Sequence, residues 1–145
     1  MKKLIFCLLA IPFAGGNGFN LSTTNTKAVE IRAGDWPIIL ERSIDRTDTS
    51  YSLQFRDMQV LTSPVLDTLS FPDLSQLKYF EKALTVLKTG NVGDQAKFKN
   101  YSITRASKKT EPGSYILRLK WTLTDFKQPE ADLMMKTIRE LKFTQ

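Results

Sequence analysis

The sequence predicts an α+β fold: an antiparallel β-sheet with two helices packed on one face, built as two hairpin-plus-helix units. Three observations predict it. Two runs alternate apolar and polar residues with a period of two: Tyr51, Leu53 and Phe55, then Tyr115, Leu117, Leu119 and Trp121. Two other segments repeat apolar residues at helical spacing, through Leu74, Leu77, Phe80, Leu84 and Leu87 and through Ala131, Met134, Met135, Ile138 and Leu141. Each of these segments opens with proline and an acid, Pro72-Asp73 and Pro129-Glu130.

The chain has 145 residues, the length of one domain. It starts Met1-Lys2-Lys3, continues with an almost wholly apolar run over residues 4–14, and reaches Gly15-Gly16. A basic start, an apolar run and small residues predict a secretory signal peptide over 1–16 with cleavage after Gly16, and so a secreted or periplasmic protein. The run is too short to span a bilayer, which takes about 20 residues. A buried N-terminal strand or helix would explain the apolar run but not its basic and small-residue flanks. Cys7 lies inside the run, so the mature chain has no thiol chemistry and no disulfide. Loss of Lys2 and Lys3 lowers the net charge of +6 by two. Residues 17–26, rich in Asn, Ser and Thr, read as a flexible leader, and residues 27–145 as a single domain.

In order, residues 28–32 alternate weakly and form a short strand, and Gly34-Asp35 makes a turn. Residues 36–44 form a strand whose Pro37 places it at an edge or a strand entry. Residues 45–49 turn the chain into the strand 50–57, and 65–71 make a further strand interrupted by Asp67. Pro72 opens the first helix at its first position, and Gly90 stops it. Phe98 is out of phase with Tyr101 and Ile103, which predicts a β-bulge near Lys99-Asn100. Glu111-Pro112-Gly113 closes the second hairpin, and the second helix follows Gln128.

Residues 50–56 (SYSLQFR) align with 114–120 (SYILRLK), and a helix closes each half. This predicts an internal repeat, with four strands at most in the first half and two in the second. Antiparallel strands followed by a covering helix, twice over, resemble the Whirly single-stranded DNA-binding fold across residues 36–141. That resemblance implies units of four strands and a helix, and binding of single-stranded nucleic acid.

Most catalytic chemistry is excluded. There is no histidine, which removes His-based triads, imidazole bases and nearly all zinc sites. There is no glycine-rich phosphate loop and no EF-hand spacing of acids. Ser75-x-x-Lys78 and Lys88-Thr89-Gly90 match the motifs of penicillin-binding proteins, but both fall on one helix, about 20 Å apart by helical rise. Asp45 and Asp48 sit in a turn, where aspartate bonds nearby amides, and Met134-Met135 fit core filling. The expectation is a protein that is not an enzyme and takes no cofactor and no metal.

Charge leaves one candidate. Residues 97–122 hold seven cations against one acid, Glu111, an excess equal to that of the whole chain, +6. Arg118 and Lys120 fall on one side of a strand, Arg105 lies on its partner, and Lys108 and Lys109 sit at the tip. These five residues form a candidate anion- or ligand-binding face for an anionic polymer or surface. The plainer reading is a solvated sheet face whose lysines prevent edge-to-edge association. The aromatic residues of the hairpin, including Trp121, are expected on the dry side, without a stacking row for bases. The sequence therefore points to a small exported non-enzymatic binding or structural domain of the cell envelope. A single-stranded nucleic-acid-binding protein of Whirly type is the alternative.

Overall fold

The computed structural model describes residues 25–31, 37–59, 66–108 and 111–141. The signal peptide over 1–16, most of the leader, the Gly34-Asp35 turn, Trp36, Val65 and Lys109 lie outside the described residues. Among the described residues, eight strands and two helices follow one another as β1 (Asn25–Ile31), β2 (Ile38–Asp45), β3 (Asp48–Arg56), β4 (Leu66–Phe71), α1 (Leu74–Thr89), β5 (Gln95–Lys97), β6 (Tyr101–Lys108), β7 (Glu111–Leu119), β8 (Leu123–Lys127) and α2 (Gln128–Glu140).

The α+β class is as expected, but the strands divide between two antiparallel sheets, ordered β1-β2-β3-β4 and β5-β6-β7-β8. Four strands precede each helix, so the count of two in the second half is corrected. The strands missing from that reading are β5, only three residues long, and β8, five residues long. Of the aligned runs, residues 50–56 fall on β3 and residues 114–119 on β7, the third strand of each sheet, with Lys120 just past the end of β7.

Each sheet keeps one dry face. Leu40, Tyr51, Leu53, Phe55, Leu69 and Phe71 are buried in the first, and Ile103, Tyr115, Leu117 and Phe126 in the second. Neither face is covered by its own helix alone. The α1 helix packs on β3 and β4, then on β5 and β6; α2 packs on β7 and β8 and reaches back to β1. Buried Leu77, Phe80, Leu84 and Leu87 of α1, with Ala131, Met134, Met135 and Ile138 of α2, complete one continuous core. Phe80 is the hinge of that core. Its ring lies 5.5 Å from Phe71 of the first sheet and 6.1 Å from Tyr101 of the second.

The helix ends are built from side chains that the sequence displays. Asp73 is the N-cap of α1: its Oδ1 accepts the Gln76 N–H at 2.9 Å and the Ser75 hydroxyl at 2.7 Å. Pro72 therefore precedes the cap rather than opening the helix. Ser75, the would-be nucleophile, serves this cap. The Ser75 hydroxyl and the backbone amides hold the Asp73 carboxyl below the usual carboxylate range. At α2, Glu130 Oε2 accepts the Lys127 N–H at 2.6 Å. Lys88 donates to Asp132 at 2.8 Å across the two helices, and the Asp132 carboxyl is lowered by that bond.

Two local expectations are corrected. Lys99-Asn100 is not a bulge but a two-residue hairpin loop, closed by Phe98 N–H donating to Tyr101 O at 2.8 Å. The bulge lies in β7, where Ala106 pairs with Ser114 but Lys108 pairs with Glu111, so two β7 residues oppose Ser107. Those two are Pro112, which has no N–H to lose, and Gly113, with φ of 90°. Trp121 is not on the dry face. The strand ends at Leu119, Lys120-Trp121 make a second two-residue loop, and Trp121 is 78% exposed. Alternation carries no force beyond the last paired residue.

Two contacts tie the sheets at this loop. The Met58 N–H donates to Leu123 O at 3.0 Å, and the Thr122 hydroxyl donates to Asp67. Asp67, which breaks the apolar pattern of β4, is thus used across the junction.

Phe80→Ala is expected to destabilise the fold by about 3–5 kcal/mol, because its fully buried ring serves both sheets. Leu74→Ala, at a half-buried position, is expected to cost much less. Urea unfolding of the two variants measures the difference.

Candidate basic cleft

In a sheet of four successive strands, alternate loops lie at the same end. The β5–β6 loop (Lys99-Asn100) and the β7–β8 loop (Lys120-Trp121) are therefore neighbours. Between them is an open cleft of about 600 Å³. Its cations are Lys97, Lys99, Arg118 and Lys120, and no acid lines it. Register explains the convergence. Ser102 pairs with Lys97 on one side and Arg118 on the other, so these three project from one face in a row across β5, β6 and β7. Two strand spacings separate Lys97 from Arg118, about 10 Å between backbones. The acid on the same face of β8, Asp125, stands opposite Ile116, two residues along the strand from Arg118.

Two of the lining residues are aromatic, with their rings on the helix-facing side behind the cleft. Phe98 and Tyr101 line the cleft and stack on one another, with ring centroids 4.3 Å apart and planes 11° from parallel. Burial pushes the Tyr101 hydroxyl well above its ordinary value, so it stays neutral. Beside the cleft, Lys120 Nζ lies 5.0 Å from the centre of the exposed Trp121 indole.

Of the five expected residues, the structure brings Arg118 and Lys120 together and separates the others. Arg105 is withdrawn. It pairs with Tyr115 and so belongs to the face turned toward the helices. Its Nη1 donates to Leu87 O at 2.6 Å and to Lys88 O, where the last carbonyls of α1 lack partners within the helix. The backbone of Lys108 lies six residues along β6 from Ser102, about 20 Å away at the far end of the strand pair. Lys109 follows it, outside the described residues. Lys97, Lys99, Phe98, Asn100, Ser102 and Trp121 were not selected from the sequence. A signal for them existed: Lys99-Asn100 is a polar pair between two strand-like runs.

The cleft suits reversible binding of negative charge. It holds no acid–base pair, and among the described residues no group of three or more Asp, Glu, Cys or His could hold a metal. No described helix is long and apolar enough to cross a membrane. No protein family matches the chain, and no curated protein or solved structure is significantly similar to it.

Arg105→Ala is expected to lower stability by about 1–3 kcal/mol, since it leaves carbonyls at the end of α1 without a charged donor. It should leave anion binding unchanged. Arg118→Ala is expected to do the reverse. Urea unfolding beside a heparin titration of each variant reads both effects.

Proposed function

We propose that the protein is a small exported, non-enzymatic binding module of the cell envelope that holds an anionic polymer or surface in this cleft. One observation carries the reading: four cations meet at two adjacent loops with no acid among the lining residues. A surface built only for solubility would intersperse the two signs. Phosphate, sulfate or carboxylate groups would relieve the repulsion among these cations, with binding that weakens as salt rises.

A second reading, single-stranded nucleic-acid binding of Whirly type, is favoured by Trp121. An indole that is 78% exposed beside a lysine offers a base a stacking surface next to a phosphate contact. Four strands before each helix, with the aligned runs on the third strand of each sheet, support this resemblance and the reading of the halves as two copies of one unit.

Binding to heparin, followed from low to moderate salt, tests the first reading. The expected result is salt-dependent binding, weakened at least tenfold by Arg118→Ala with Lys120→Ala and unaffected by Trp121→Ala. Absence of binding at low salt overturns it. For the second reading, oligo-dT should bind more tightly than heparin of equal charge. Trp121→Ala should cost oligo-dT about 5- to 150-fold, the worth of one stacked base.

A further inference from the structure

We propose that the ligand is an anionic amphiphile, a single molecule with a charged head in the basic cleft and an apolar chain in the groove that adjoins it. This rests on the reading of the cleft as an anion site and adds a second surface to it. Between α1 and the edge strand β5 runs an open groove of about 550 Å³, within the range of about 300–1,000 Å³ of small-molecule sites. Its apolar lining comes from Tyr79, Ala83, Val86 and Leu87 of α1, with Ala96 and Phe98 opposite. Tyr79, Ala83 and Val86 fall on one stripe of the helix, at spacings of four and three residues. Tyr79 and Val86 are 56% and 61% exposed, on a side of α1 where a surface helix normally carries polar residues.

Phe98, beside the end of the edge strand β5, lines both the groove on the helix-facing side of the sheet and the cleft on its other side, so the two depressions adjoin around that edge. The apolar track therefore ends at the edge of β5, around which lie Lys97 and Lys99 and, beyond them, Arg118 and Lys120. At the rim of the groove Lys82 adds a further cation. The acid there, Asp94, accepts the Asn91 N–H through Oδ2 at 2.6 Å. Charge at one end and apolar surface along the rest define the occupant. A polyanion alone would leave the groove unfilled. An added peptide strand would find only three residues of β5 to pair with.

Calorimetric titrations with inorganic phosphate, hexyl phosphate, decyl phosphate and uncharged decyl maltoside, all below micellar concentrations, test this. Affinity should rise along the phosphate series, by up to about fourfold for each methylene buried. Decyl maltoside should bind at least tenfold more weakly than decyl phosphate. Val86→Asp, at an exposed position, should abolish the chain-length dependence and leave heparin binding unchanged. Affinity independent of chain length overturns the inference, as does chain-length dependence that survives Val86→Asp. Binding to phosphatidylglycerol vesicles without binding to decyl phosphate overturns it too. If heparin binds as expected in any of those cases, the anion site stands and the amphiphile alone is lost. If neither heparin nor decyl phosphate binds, the anion site fails with it.

Discussion

Phe80 of α1 stands between Phe71 of β4 and Tyr101 of β6, and through these ring contacts one helix is fastened to both sheets. Phe71 and Tyr101 also meet edge-on at 6.3 Å. A four-stranded sheet with a single apolar face cannot stand uncovered in water, and here each sheet borrows cover from both helices. Aromatic pairs of this kind contribute about 0.5–1.5 kcal/mol each beyond the area they bury. The arrangement makes the two halves one cooperative core rather than two lobes, since no layer of it is complete without the other half.

This constraint also positions the candidate site. Tyr101 is at once a member of the core triad and the first residue of β6, adjacent to the Lys99-Asn100 loop, and it stacks on Phe98. The rigid core thus ends directly behind the cleft. Farther along β6, Arg105 is held at the end of α1. With the inner face of β6 fixed at both points, the row Lys97, Ser102 and Arg118 has a stiff backing, and the backbone positions from which its two cations project are held two strand spacings apart. Like charges two strands apart repel one another in the free fold, and an anion placed between them would offset that repulsion.

The architecture was legible where periodicity was strong. The stripes of α1 and α2, apart from half-buried Leu74 and Leu141 at their ends, and Tyr51-Leu53-Phe55 and Tyr115-Leu117 are buried as their periods demand. Proline with an acid marked both helix starts, although Asp73 rather than Pro72 defines the first. The division into two sheets was not legible, because pairing between distant strands leaves no local trace and β5 is too short to show a period. The site was legible in part. Net charge pointed to the right hairpin, yet which cations share a face depends on register. Arg105 lies opposite Tyr115, and Arg118 lies opposite Ser102; a single step of register decides between them. Trp121 was lost for a related reason: alternation was extended into a loop.

If the turn end of the second sheet is the working surface, a ligand must perturb that end and little else. Backbone amide chemical shifts followed by NMR during titration with a heparin hexasaccharide test this most directly. The account predicts shifts confined to residues 97–102 and 118–121, with the outer face of the first sheet silent. Shifts centred on the first sheet, or none at low salt, would contradict it.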